Sequence, residues 1–195
     1  MGNAAIKTNM SAEEFLAWEA GQTERHEFVE GEVYAMAGAQ ARHITASMNV
    51  AFALRQHLAG TPCRAFMADM KVAAADSSDF FYPDVVVTCN QADRLGQSVV
   101  TREPTLIVEI LSPSTAAYDL GKKSAQYRRI PSLSEIVFID LDERHTSVYR
   151  KGNDGLWVLH DFDAGADVRF DSVDLVITAA ALFADVDDDA PASAG

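Results

Sequence analysis

Residues 105–111 read TLIVEIL, a run of aliphatic and β-branched side chains with one carboxylate, Glu109, set inside it. A segment this short and this continuously apolar is a strand buried on both faces. A charged group inside such a strand is costly unless it is paired, hydrogen-bonded or bound to a metal. Upstream, FFYPDVVVTC carries the same anomaly at Asp84. Asp84 and Glu109 lie equally far from the Gly96–Gln97 midpoint of the connector between them. If the two strands pair as neighbours across a roughly symmetric loop, the carboxylates end up side by side. Alternation then places Val86 on the face of Asp84, and Ile107 and Leu111 on the face of Glu109. Two anions in apolar surroundings repel, so one keeps its proton unless a cation joins them. Mg²⁺ suits such a pair, because it takes one or two carboxylates and fills its shell with water and phosphate oxygens. The backbone carbonyl of Ile110 is placed to supply a third ligand.

The next segment, DLGKKSAQYRRI, reads as a helix. On its wheel Leu120, Lys123, Tyr127 and Ile130 share a stripe, so Lys123 points inward, while Lys122 is rotated by about 100° toward solvent. Asp119 stands one turn before Lys123 and is placed to orient it. An inward ammonium beside two carboxylates can hold a water or steady charge growing on a phosphate. Taken singly, a buried Glu is more often half of a structural ion pair, and an inward Lys more often a snorkelling side chain. It is their joint occurrence in this order that points to hydrolysis of a phosphodiester.

The pair Pro83–Asp84 followed by Glu109 at the end of an apolar strand resembles the PD-(D/E)XK nuclease superfamily. More narrowly, RHEFVEGEVYAMAGAQARH, FYPDVVVTC, LIVEILSPST and DLGKKSAQYRRIPSLSE resemble the Uma-type family of restriction-endonuclease-like proteins, over residues 11–185. The resemblance implies a restriction-endonuclease-like core, Mg²⁺-dependent cleavage of nucleic acid (DNA above all) with Mn²⁺ as a substitute, and a homodimer. It also implies catalytic roles for Asp84, Glu109 and Lys123. Two positions after Glu109, where the wider superfamily has a lysine, this chain has Leu111. In the narrower family a helix lysine is taken to replace it, and Lys123 is the matching position. Glu32 and His43 match the family's N-terminal pattern, Glu32 as an outer acid and His43 as a phosphate or water contact. Asp69 is a further candidate acid. The competing reading keeps the fold as a binding module without cleavage. A serine hydrolase around Ser112 has no GxSxG elbow to support it.

The rest of the chain reads as one α/β (α+β) domain over 11–185, a mixed sheet flanked by helices with extra antiparallel strands on the C-terminal side. Residues 1–10 are a loose lead-in and 186–195 a disordered acidic tail. Ser11 with Glu14 forms a capping box, and Glu30–Gly31 turns a hairpin whose second strand starts at Glu32. In HITASMNVAFALRQHLAG, Ile44, Met48, Ala51, Phe52, Arg55 and Leu58 recur at helical spacing, as expected of a helix packed across a sheet. CRAFMADMKVAAA reads as one strand with Asp69 and Lys71 on the same side. The net charge of -13 argues against tight non-specific binding by a monomer, and for modest, salt-sensitive affinity for nucleic acid. Arg128 and Arg129 are candidate contacts to its backbone. Cys63 and Cys89, far apart, give little support to a disulfide framework or a zinc site, and fit a reducing cytoplasm. No signal peptide is legible, and the run Leu175 to Ala184 is about half the ~20 residues a membrane span needs. A soluble cytoplasmic protein is expected.

Overall fold

The computed structural model of the protein describes residues 5–36 and 38–187. In chain order its elements begin with α1 (Ala12–Glu19), β1 (His26–Val29), β2 (Glu32–Ala35), α2 (Ala41–His57), β3 (Arg64–Met67) and β4 (Lys71–Ala73). There follow β5 (Phe80–Phe81), β6 (Val85–Thr88), β7 (Val100–Thr101) and β8 (Pro104–Leu111). A helical stretch built from α3 (Ala116–Tyr118), a π-helical turn (Asp119–Lys123) and α4 (Ser124–Tyr127) comes next. The chain then runs through β9 (Glu135–Asp140), β10 (His145–Lys151), β11 (Trp157–Phe162), β12 (Val168–Phe170), β13 (Leu175–Ile177) and α5 (Ala179–Leu182).

The apolar strands β6 and β8 are neighbours in a six-stranded mixed sheet of order β11-β10-β9-β8-β6-β3. They pair antiparallel, Val85 opposite Val108 and Val86 opposite Ile107, and β8 runs parallel to β9. A second, five-stranded sheet has the order β2-β1-β5-β4-β7. Between the two sheets lies an apolar cluster: Val29, Val72 and Phe81 from one, Val86, Ile107 and Phe138 from the other, and Tyr127, Ile130 and Leu133 from the helical stretch and its exit. Leu111 packs against the same cluster, so Val86, Ile107 and Leu111 do share a face. The outer face of the six-stranded sheet is covered by α2, through Ala46, Val50 and Leu54. The outer face of the five-stranded sheet is covered by α1, whose Phe15 stacks on Phe28 at 4.8 Å. The architecture is therefore mixed α+β, two sheets flanked by helices.

Local rules place several elements where the residues predict them. Ser11 and Glu14 form the reciprocal capping box of α1. Glu30 and Gly31 both take positive φ, 52° and 84°, as the two-residue hairpin between β1 and β2 requires. Other expectations are corrected. α2 buries Ala46, Ser47, Val50 and Leu54, and leaves Ile44, Met48 and Phe52 of the expected inward stripe exposed. The helix is apolar on two sides, and periodicity alone does not choose between them. CRAFMADMKVAAA is two strands in different sheets, broken where Ala68 takes φ 58°, so Asp69 and Lys71 do not share a pleat. FYPDVVVTC likewise splits at Pro83 between β5 and β6.

Cys63 and Cys89 form a disulfide, against the expectation from their spacing. They sit one step outside the antiparallel pairing that sets Arg64 opposite Thr88, so they face each other at the sheet edge. The cysteines therefore lend nothing to the argument for a reducing compartment. No helix among the described residues is long and apolar enough to cross a membrane. Of the expected lead-in, Lys7 bridges to Val33 and the Met10 amide donates to Gly31. Of the expected tail, Val186 is buried in the α2 core, and Asp187 pairs with Arg42 at 2.8 Å and Arg144 at 3.0 Å. The expectations for residues 1–4 and 188–195 lie outside the described residues.

Candidate functional site

The antiparallel register of β6 and β8, continued one step past Val85 and Val108, sets Asp84 across from Glu109. The Ile110 amide donates to Asp84 Oδ2 at 2.7 Å, holding that carboxylate against β8. Glu109 points between the sheets, where Lys123 Nζ lies 2.8 Å from its Oε1 and the Tyr127 hydroxyl donates to the same oxygen at 2.7 Å. The sequence thus places the three expected catalytic groups in one region. It does so through a strand pair and through the π-helical turn, which carries Asp119 and Lys123 inward together. A π-turn holds more residues than an α-turn. That is why Leu120, which an α-helical wheel puts on the inward stripe, is exposed, while Lys123 is only 4% exposed. Lys122 points outward as predicted and pairs with Glu30 at 2.7 Å.

Lys123 has more partners than the sequence reading supplies. Its Nζ is 2.9 Å from Glu27 Oε1 and 3.6 Å from Asp119 Oδ1. Glu27 comes from β1 of the other sheet, so the ammonium ties the two sheets and the helix together. His43, at the head of α2, reaches the opposite side of the site. Its Nε2 lies 3.0 Å from the Ile110 carbonyl and 3.3 Å from Asp84 Oδ2. The cluster therefore gathers four carboxylates (Glu27, Asp84, Glu109, Asp119) around one ammonium and one imidazole.

The electrostatics follow from that imbalance. Burial pushes the Glu109 carboxyl up, with the charges of Asp84 and Asp119 adding to it and Lys123 opposing, to about 8. Burial also raises Asp119 against the pull of Lys123. Burial disfavours the charged form of Lys123, yet Glu109, Glu27 and Asp119 outweigh it and hold the ammonium well above its ordinary value. For His43 burial is likewise outweighed, by Asp84 and the Ile110 carbonyl, and its value is raised. Burial raises the Tyr127 hydroxyl, so it acts as a hydrogen-bond donor to Glu109 and not as a phenolate.

Among the described residues no three His, Cys, Asp or Glu side chains converge as a metal cage. The oxygens available at the site are hard donors: the Asp84 carboxylate and the Ile110 carbonyl, which share His43 Nε2, and the Glu109 carboxylate across the strand pair from Asp84. One N–H of His43 bridges two of these three groups, in the position of a bound positive charge. Such a set fits a cation that keeps most of its shell as water, as Mg²⁺ does, and does not fit a dedicated Zn²⁺ or Ca²⁺ cage.

Two of the supporting candidates have partners of their own. Glu32 accepts a hydrogen bond from Tyr34, two residues along the same strand. Asp69 lies at the surface in an ion pair with Arg25 at 2.9 Å. Neither is bonded to Asp84, Glu109 or Lys123. Arg128 stacks over Tyr149 at 5.9 Å, and Arg129 is exposed. Glu27 and Tyr127 are the site residues that sequence reasoning misses. Once β1 is seen to be buried at all four positions, an acid within HEFV is as anomalous as Glu109 within TLIVEIL. Tyr127 was on the inward stripe, but nothing in the sequence marks its hydroxyl as a partner of Glu109.

Known proteins resemble this chain in sequence and in fold. An uncharacterized protein of Synechocystis sp., slr1290, is 34% identical over 166 residues, covering 85% of this chain and 87% of its own length. A second from the same organism, sll1609, is 33% identical over 163 residues, covering 83% and 92%. The fold matches the crystal structure of a DUF820 protein of Anabaena variabilis described as a putative nuclease, with a TM-score of 0.71 at 20% identity, over 89% of this chain and 97% of that one. Residues 12–179 match the Uma2 family, described as putative restriction endonuclease, and to that family the chain belongs.

Proposed function

We propose that the protein is a metal-dependent endonuclease that hydrolyses phosphodiester bonds of DNA. The observation that carries the reading is the excess of buried acid: four carboxylates share one ammonium and one imidazole at the end of the β6–β8 pair. A purely structural ion pair balances its charges; this cluster is short of positive charge, and a divalent cation supplies it. Asp84, Glu109 and the Ile110 carbonyl would hold Mg²⁺, with Mn²⁺ as a substitute. When bound, such an ion polarises a phosphoryl oxygen and lowers the pKa of a coordinated water. Lys123, fixed by Glu27 and Asp119, steadies negative charge growing on the phosphate, and Tyr127 keeps Glu109 aimed. His43 orients Asp84. The net charge of -13 implies few phosphate contacts outside the site, hence modest affinity that falls with salt.

The test is nicking of supercoiled plasmid, and cutting of single-stranded DNA, with Mg²⁺ or Mn²⁺, comparing wild type with Asp84→Asn. Cutting that needs the metal and disappears in the variant supports the reading; cutting that survives the substitution refutes it. A second reading, a nuclease fold retained for binding without cleavage, is favoured by Leu111 standing where the wider superfamily has its lysine and by the tight engagement of Lys123 with Glu109 and Glu27. Metal-dependent stabilisation with no cutting of any nucleic acid would select it.

A further inference from the structure

α2 has two apolar sides, and only one is covered. Ala46, Val50 and Leu54 meet the six-stranded sheet, while Ile44, Met48 and Phe52 form a second stripe at i, i+4, i+8 that stays exposed, Phe52 to 63%. Beside the stripe lies β3, over which α2 packs and which ends the six-stranded sheet. Phe66 and Met67 of β3, with Met48 and Phe52 of α2, wall a groove of about 460 Å³. β3 carries no lysine or proline within Arg64–Met67, and its one charged side chain, Arg64, is exposed at the strand's start.

The charge pattern names the occupant. The chain carries 29 acids against 16 Lys and Arg, yet residues 33–68, which include all of α2 and β3, contain no Asp or Glu. Two strongly acidic molecules approach each other most easily where neither presents a carboxylate. The same region offers complementarity at its ends. In an antiparallel pairing of β3 with its own copy, the start of one strand meets the end of the other. Arg64, exposed at the start, then approaches Asp69 of the second molecule, which pairs with Arg25 of its own chain at 2.9 Å and stays 71% exposed just past the strand's end. A pairing of identical antiparallel strands is two-fold symmetric by construction, the geometry of most closed dimers.

We infer that the α2–β3 face is a homodimer interface, in which two β3 edges pair into one continuous sheet and the Ile44–Met48–Phe52 stripes of the two α2 helices cover each other. This inference does not rest on the proposed function. It is read by mass alone, without metal or cleavage, so a failure here leaves the nuclease reading standing and the reverse also holds.

The experiment is sedimentation velocity of the full chain over a hundredfold dilution series. Wild type is expected near twice 21.2 kDa at the higher concentrations. Phe52→Glu and Met48→Lys, both at exposed positions, are expected to weaken self-association at least a hundredfold while the circular dichroism spectrum is unchanged. Leu156→Glu, at a position 66% exposed far from this face in the chain, should leave the mass unaltered. Arg64→Asp should weaken the dimer. A wild type of 21.2 kDa throughout, or Phe52→Glu and Met48→Lys sedimenting as wild type does, overturns the inference. So does a wild type that stays monomeric and binds a labelled oligonucleotide through Phe52, which would assign the face to nucleic acid.

Discussion

Two glutamates lie buried in the adjoining parallel strands at the centre of the six-stranded sheet, and they have opposite surroundings. Glu135, at the start of β9, accepts from Arg150 Nε at 2.9 Å and from the backbone amides of Asp171 at 2.9 Å and Ser172 at 2.7 Å. It ties the β12–β13 hairpin to the sheet, and its charge is answered by a guanidinium and two peptide dipoles. Glu109, in β8, is bonded to Lys123 and Tyr127 but shares that ammonium with Glu27 and Asp119 and faces Asp84 across the strand pair. The first acid is satisfied and the second is crowded by its own kind. Both are buried carboxylates in strands, so burial alone does not identify a functional group; the balance of charge around it does.

The comparison breaks most easily on activity. Glu109→Gln is expected to cut plasmid nicking by about 10²-fold or more, the usual cost of removing one electrostatic group from a reacting centre, while urea unfolding changes little, because Tyr127 keeps a partner and Lys123 keeps Glu27. Glu135→Ala is expected to do the reverse. Removing one partner of a buried pair costs about 3–5 kcal/mol, read as a lower urea midpoint, with cleavage per folded molecule unchanged. If Glu135→Ala abolished cleavage in folded protein, or Glu109→Gln left it intact, the distinction between the two acids would fail.

Smaller effects sharpen it. Mg²⁺ at about ten times its dissociation constant should stabilise wild type by about 1.4 kcal/mol, a rise of roughly 3–6 °C in Tm for a domain of this size. The rise should vanish in Asp84→Asn and persist in Glu135→Ala. The pH dependence is the finest probe. Glu109 has a folded-state pKa raised from 4.5 to about 8, so between those values the folded protein holds a proton that the unfolded chain has released. Its contribution is fully present below about 4.5 and is lost as pH rises through about 8, so metal-free stability falls across that window. The slope is at most about 1.4 kcal/mol per pH unit for one proton. Urea unfolding of Glu109→Gln over the same range should show a shallower decline; an unchanged slope would mean that Glu109 is charged throughout.

Much of the site was legible because its parts obey short-range rules. The equal spacing of Asp84 and Glu109 from the connector midpoint needs only that two adjacent strands pair, and the register does bring them across from each other. Lys123 lies inward although the local helix is not α-helical, since its neighbours Tyr127 and Ile130 are buried on the same side in either geometry. Leu120 was misplaced because a π-turn shifts the wheel without any residue that announces it. Glu27 was overlooked because a lone acid in a four-residue strand stands out only once that strand is known to be buried on both faces.

What the sequence determined by itself was the pairing of two acid-bearing strands, the hairpin at Glu30–Gly31, the capped start of α1 and the family. These depend on contacts between near neighbours, or on a pattern spread along the whole chain. Only the tertiary structure decided which face of α2 meets the sheet, that Cys63 and Cys89 stand opposite each other, and that a glutamate from the second sheet completes the cluster at Lys123. Each of these joins segments that are remote along the chain, and their meeting depends on how two sheets stack, which no local periodicity encodes.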